Sequence, residues 1–355
     1  MYALYKNNKI IMNSITFYIF VISILLICLF FGQKWKSIMY EGDSKDEYEM
    51  IKEYLLNDSP LYGYNRPKIW IHSKYEINSR KWKNFQSRNS TDLNQPYLYL
   101  TIQSIINHCG NDFHICLIDD ESFPKLIPTW DIDLCSVVEP MRSQFREIAM
   151  LQLLYYYGGI VVPNSFLCTK SVLDLYSNNK TTWFVTESHN RYLDTKKDKY
   201  NTSFIPNTDF MGSFRNNEKV LECIDILKSK WNGHFSQEME FQGFYNHWLM
   251  DQVQLQNIKL LDGEFIGIKK KSGKPVLLDD LMEEAFLDVD MDKIYGIYIP
   301  KDELLKRTKY QWFAILPTDA VLECNIILTK FFKSSIIDSI DKTTNNTEIK
   351  SLIAL

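Results

Sequence analysis

The stretch Met141–Lys170, MRSQFREIAMLQLLYYYGGIVVPNSFLCTK, runs a helix, a forced stop, a buried strand and a strand breaker into one another without slack. From Arg142 to Glu147 the residues are polar, and from Ile148 to Tyr157 they are apolar almost all round. A helix that starts at a surface and drives into a core has this pattern. Gly158 and Gly159 end it, the first by taking a positive φ at the helix C-terminus, the second by letting the backbone turn tightly into the next strand. Ile160–Val162 then reads as a central strand covered on both faces. Pro163 cannot donate to a ladder, so pairing stops and Asn164 and Ser165 stand at the strand's carboxyl end. In open α/β sheets ligands sit at that edge.

Working outward, Pro67 opens the domain and Lys68–His72 reads as a short first strand. Tyr97–Cys109 has helical spacing at Leu98, Ile102, Ile105 and Ile106, and Gly110 stops it. His114–Asp120 is a second strand ending in acids. Strand, helix, strand, helix, strand in this order predicts an α/β domain with a mostly parallel, doubly wound sheet and helices on both faces. Asp119, Asp120 and Glu121 then share the carboxyl edge with Asn164 and Ser165. They hold a cation or a sugar hydroxyl there, or they cap the next helix or are simply solvated. Downstream come a helix at Ser171–Tyr176, a strand at Thr182–Glu187 and the segment NTDFMGSF, Asn207–Phe214, which leads into a helix at Glu218–Trp231. His247 and Asp251 fall one turn apart and read as a buried structural pair. Glu264–Leu278 reads as a hairpin with a lysine-rich tip, Ile294–Ile299 as a strand and Ala320–Phe332 as the closing helix. Asp131-Ile132-Asp133 and the acidic run Asp288–Asp292 lack a strand-end setting and carry no site.

The order helix, YYYGGI, strand, short polar residues resembles the core of sugar-nucleotide transferases with a DXD motif, the glycosyltransferase family 32 and capsular-polysaccharide type, whose signature is YGGI-x-x-D-x-D. The resemblance implies a GT-A-like fold and a hexosyltransferase-type enzyme. It implies a nucleotide-sugar donor, a glycan, lipid or protein acceptor, and Mn2+ or Mg2+ on the diphosphate. It also implies that His72, at the end of a segment similar to the family's P-K-I-I-H, lies under the nucleotide base. Glu147 takes the position of the helix acid that binds nucleotide, next to Gly158 and Gly159. Asn207 and Asp209 face the transferred sugar or the acceptor, with Asp209 as a catalytic candidate. The chain departs from the signature where the metal belongs: Pro163 and Ser165 occupy the aspartate positions, Met150 that of the helix arginine, and no carboxylate occurs between Glu147 and Asp174. A cation would therefore need Asp119 and Asp120. Otherwise Arg142 and Arg146, one helical turn apart, would meet the diphosphate together with Lys170.

The chain has 355 residues, 45% hydrophobic and 24% charged, enough for one large domain or two small ones, and its net charge of -4 argues against nucleic acid as a partner. Residues 10–32 carry no charge over a length that crosses a bilayer, and no small-residue cleavage site precedes Gln33. The sequence thus predicts a short cytosolic tail (1–9), an uncleaved signal anchor (10–32), a stem (33–66), the transferase-like domain (67–333) and a loose tail (334–355). Lysines flank the span on both sides, and the resemblance favours a type II orientation in a Golgi/ER-type or a virion or host membrane. Sequons at Asn57, Asn89, Asn179, Asn201 and Asn345 suit a luminal domain. The seven cysteines include no CxxC pair and read mainly as buried free thiols, with one or two bridges open to them in an oxidising lumen. Two functions remain: a membrane-anchored transferase, or a degenerate transferase-like domain that binds a glycan or a protein. A transporter or channel is excluded because one span offers no pathway.

Overall fold

The computed structural model describes residues 66–73, 95–128, 130–179, 182–189, 203–230 and 238–336. The anchor at 10–32, the tail at 1–9, nearly all of the stem, and residues 337–355 lie outside the described residues. Among those described, no helix is long and apolar enough to cross a membrane.

The domain is built on a six-stranded sheet in the order β2-β1-β3-β6-β5-β7. Its strands are β1 (Lys68–His72), β2 (His114–Ile118), β3 (Gly159–Val161), β5 (Phe184–His189), β6 (Phe204–Ser213) and β7 (Lys259–Leu261). β1 pairs in parallel with both β2 and β3, and β5 with β7. β6 pairs antiparallel with β3 and with β5, so it alone runs against the rest. The α/β class and the mostly parallel sheet hold. The ten-residue strand β6 corrects the reading of NTDFMGSF as a connecting segment.

Helix α1 (Tyr97–Cys109) joins β1 to β2, a short helix α2 (Phe123–Leu126) follows β2, and α3 (Met141–Tyr157) leads into β3. The two glycines act as expected, with φ 68° at Gly158 and 109° at Gly159. Each also allows a close approach. A Cβ on Gly158 would lie 2.8 Å from the Arg215 amide nitrogen, and one on Gly159 would collide with the Lys68 carbonyl oxygen. The buried Trp70 of β1 donates its indole N–H to the Gly158 carbonyl at 2.9 Å, fixing the helix end to the sheet. α3, α5 (Glu218–Lys230) and α6 (Glu238–Gln254) pack together over a core that includes Trp70, Ile118, Leu151, Val185, Met211 and Tyr245.

β3 ends as Pro163 requires. The Val162 amide still bonds to the Trp70 carbonyl, and a turn from Pro163 to Phe166 then lifts the chain off the sheet. It enters β4 (Phe166–Cys168), which pairs antiparallel with β8 (Gly296–Tyr298) as a separate two-stranded sheet. A second core forms around this pair, with Tyr97 and Leu100 of α1 packed with Leu167, Ile297, Phe313 and Leu328. Three sequence expectations shift here. The hairpin at 264–278 opens with a 3-10 turn, Gly263–Ile266, and is confined to 268–276, where the bridge Lys269↔Pro275 is flanked by the Lys270 amide on the Lys274 carbonyl and the Val276 amide on the Ile268 carbonyl. The closing helix is broken into Thr318–Glu323 and a second helix from 327 to 336, so residues 334–336 belong to the fold rather than to a tail. His247 is exposed rather than buried, its Nδ1 2.6 Å from the Gly243 carbonyl.

Candidate functional site

Because β1, β2 and β3 are parallel, His72, Asp119, Asp120, Asn164 and Ser165 arrive at one edge, and because β6 is antiparallel its first half reaches the same edge. Two clusters form there.

The first is centred on Asp120. Its carboxylate accepts hydrogen bonds from Arg146 Nε at 2.8 Å, from Arg146 Nη2 at 2.5 Å and from His72 Nε2 at 3.0 Å. Glu139 stands 3.3 Å from Arg146 on the outer side, and the His72 ring stacks on Phe123. Burial by itself would raise the Asp120 pKa, but the bonds from Arg146 and His72 outweigh it and hold the carboxyl well below the usual carboxylate range. Asp119 closes a local turn, its Oδ1 accepting from Ser122 Oγ at 2.6 Å, and it does not cap the helix that follows, whose N-cap is Ser122 with no side-chain capping bond. The pair does not fit a divalent cation. Both Asp120 oxygens are taken, and among the described residues no group of three His, Cys, Asp or Glu side chains is placed to hold a metal.

The second cluster lies at the end of β3. Asn164 and Ser165 are buried, and they are tied down by Thr101 of α1, which donates to the Asn164 carbonyl at 2.5 Å, and by the Ile299 amide, which donates to the Ser165 carbonyl. Ser165 Oγ is buried without a hydrogen-bond partner among the described residues. The Asn164 side chain faces the site: its Oδ1 accepts from Lys301 Nζ at 2.7 Å. On β6 the register jumps from Val185↔Met211 to Thr186↔Asn207, which leaves Thr208, Asp209 and Phe210 as a bulge. A bulge re-aims side chains. Thr208 and Phe210 turn inward and are buried, and Asp209 turns outward to solvent. Three contacts fix the bulge: the Asp209 amide on Asn207 Oδ1 at 2.5 Å, Thr186 Oγ1 on the Phe210 carbonyl at 3.0 Å, and Thr208 Oγ1 on Glu147 Oε2 at 3.2 Å. Tyr298 donates its hydroxyl to Asp209 Oδ2 at 3.2 Å. The residue keeps an exposed face, but the protein packed around its carboxyl raises the Asp209 pKa, an effect that Lys301 and the Tyr298 hydrogen bond only partly offset.

The structure therefore brings together His72, Asp120 and Arg146, and separately Asn164, Asp209 and two residues the sequence reading missed, Tyr298 and Lys301. Asn207 and Glu147 support the bulge by hydrogen bonds. Gly158 and Gly159 lie at the opposite end of β3 from Asn164 and shape the sheet. Arg142 is drawn to the Val137 carbonyl at 2.7 Å, and Lys170 to the Asp292 carbonyl and the Tyr295 ring, so neither joins the edge. Asn179 is 5% exposed and gives its amide to the Leu175 carbonyl, a poor glycan acceptor; the other four sequons lie outside the described residues. A signal for Lys301 did exist: Ile294–Ile299 is an apolar run stopped by Pro300 and followed by Lys301-Asp302, the strand-then-proline logic that singled out Asn164. A groove of about 500 Å³ runs along α5, lined by residues such as Glu218, Leu221 and Asp225, and takes no lining from a strand end.

No protein-family model matches the chain, and no curated protein sequence does. Among solved structures it is similar to the glycosyltransferase GlyE of Streptococcus pneumoniae TIGR4, at 10% identity and a TM-score of 0.38 over 76% of this chain, and it spans only 64% of the GlyE chain. It is also similar to the PaToxG glycosyltransferase, at 12% identity and a TM-score of 0.32 over 59% of this chain and 79% of that one. A third likeness is to the galactosyltransferase LgtC, at 9% identity and a TM-score of 0.30 over 56% of this chain and 74% of that one. At these identities and TM-scores the likeness is distant.

Proposed function

We propose that this chain transfers a sugar from a nucleotide-sugar donor to a hydroxyl on a glycan, lipid or protein. The observation that carries the reading is the pairing, at one sheet edge, of an ammonium seated on Asn164 with the Asp209 carboxyl, which a bulge turns outward and the Tyr298 hydroxyl holds. Breaking the bond from the sugar C1 to the diphosphate leaves negative charge that fixed positive groups must meet. Lys301 is that group in this proposal, taking the part that Arg142, Arg146 and Lys170 were expected to play. As the C1–acceptor oxygen bond forms, the acceptor hydroxyl loses its proton to Asp209, whose raised pKa makes it a stronger base than an ordinary aspartate. His72 and Asp120 would flank the nucleotide at the ends of β1 and β2. The uncharged stretch at 10–32 supports a single-pass anchor, and the resemblance, not the lysines on either side of the span, favours a type II orientation that presents the domain to a Golgi/ER-type lumen or at a virion or host membrane.

A second reading, a transferase-like domain that binds a glycan or a protein without turnover, is favoured by the full engagement of Asp120 and by Pro163 and Ser165 at the aspartate positions. Hydrolysis and transfer assays with common nucleotide sugars, run in EDTA and in Mn2+, separate the two. The transferase reading expects turnover that survives EDTA and falls at least about 100-fold in Asp209→Asn. Absence of turnover, together with absence of nucleotide binding by calorimetry, establishes the second.

A further inference from the structure

Cys109, the last residue of α1, and Cys168, the last residue of β4, are 59 positions apart in sequence, yet their sulfurs lie 3.8 Å apart in a fully buried site. Around them the backbone is already stitched. Ser104 of α1 bonds to the Cys168 amide at 2.9 Å, Ser335 of the last helix bonds to the Cys168 carbonyl at 2.7 Å, and His108 Nε2 lies 3.2 Å from the Ser335 carbonyl. Thr101, two turns before Cys109, holds the Asn164 carbonyl. Helix α1, β4 and the final helix thus converge on two thiols whose sulfurs need to close by about 1.8 Å to reach bonding distance.

We propose that Cys109 and Cys168 form a disulfide when the chain folds in an oxidising compartment, a covalent clasp that locks α1 to the segment carrying Asn164 and Ser165. The balance is an exchange: a low-molecular-weight disulfide takes the two electrons and leaves as two thiols, and Cys109 and Cys168 give up their two protons and join. The bond to Cys109 and burial raise the Cys168 pKa, which disfavours the thiolate that exchange requires, so the bridge forms as the chain folds and exchanges little afterwards. Of the six described cysteines, Cys116 and Cys223 are buried, Cys324 is part-buried and Cys135 is exposed; all six, including this pair, are reduced here. The inference does not depend on the transferase reading.

The test uses the full chain, unfolded in urea and refolded in either glutathione disulfide or dithiothreitol, then denatured with iodoacetamide and mapped by mass spectrometry. The expected result is one linked peptide pair holding Cys109 and Cys168, which protects both from alkylation, together with a Tm gain on the order of 10 °C that dithiothreitol reverses. Cys109→Ser and Cys168→Ser each abolish the linked species and the reducible gain. If either variant does not fold, the comparison of oxidised and reduced wild type still decides. Alkylation of both thiols after oxidative refolding overturns the proposal, as does linkage of either to another cysteine, or a linked chain that melts with the reduced one.

Discussion

Replacing Asp120 by asparagine keeps the shape of the side chain and removes its charge, which isolates what the cluster at the ends of β1 and β2 contributes. Asp120 accepts three hydrogen bonds, at 2.8, 2.5 and 3.0 Å, and its side chain is 21% exposed against 10% for Arg146 and 13% for His72. Breaking a buried ion pair by removing one partner costs about 3–5 kcal/mol; residual solvent at Asp120 and the remaining Glu139 contact lower this to about 2–4 kcal/mol. For a urea m-value of about 2–3 kcal/mol/M the unfolding midpoint at pH 7 moves down by about 1 M. The pH dependence has a fixed sign. The folded pKa is depressed, so the stabilisation is fully present above the unfolded aspartate value of about 3.9 and is lost as pH falls through and below it. The gap between wild type and Asp120→Asn therefore begins to narrow near pH 5 and keeps narrowing as pH falls below about 2. In a double-mutant cycle with Arg146→Met, the two single losses exceed the double loss by about 1–3 kcal/mol. A loss under about 0.5 kcal/mol at pH 7, unchanged at pH 3, shows instead a solvated surface pair, and the cluster then organises nothing.

Gly159→Ala places a Cβ against the Lys68 carbonyl at a φ of 109°, so it destabilises by about 4 kcal/mol or more, read as loss of the cooperative urea transition or of soluble protein. Trp70→Phe removes the N–H that bonds to the Gly158 carbonyl, leaving a buried acceptor short of a partner, and lowers stability by about 1–3 kcal/mol in the same assay. Lys301→Met weakens nucleotide-sugar binding about 10-fold in calorimetry and, by leaving the buried Asn164 Oδ1 without its donor, lowers stability by about 1–2 kcal/mol. Lys301 also lowers the pKa of Asp209, so in the same variant the acid limb of the pH–rate profile moves to higher pH; an unmoved limb separates Asp209 from the rate-limiting proton transfer.

How much of this was legible in the sequence differs between the sheet and the site, for physical reasons. β1, α1, β2, α3 and β3 were legible because their signals are local. Helical spacing in Tyr97–Cys109 and the Gly-Gly step after Tyr157 need nothing from elsewhere in the chain, and the observed elements begin or end within a residue or two of the expected ones. β6 was not legible as a strand because Pro206, Asn207, Asp209 and Gly212 are turn-forming residues. Its ten residues are held by neighbours on both sides, β3 and β5, and a side chain's position in such a sheet is a tertiary matter.

The site follows the same division. The adjacent acids after β2 were visible, but which of them is engaged depends on Arg146, which lies 26 positions away from Asp120 and arrives through the packing of α3. Lys301 reaches Asn164 across 137 positions because β8 pairs with β4, and no spacing within either segment encodes that pairing. The departure at Pro163-Asn164-Ser165 gains a physical reason from this pairing. A Lys301 ammonium that is to keep its positive charge uncancelled needs a neutral oxygen as its acceptor, since a carboxylate there would neutralise the pair. The amide of Asn164 meets that need, and Pro163 releases the chain from the sheet so that β4 can carry it toward Tyr298 and Lys301. On this view Pro163 and Asn164 are the residues that assemble the neighbouring cation, and the edge carries an amide–lysine pair.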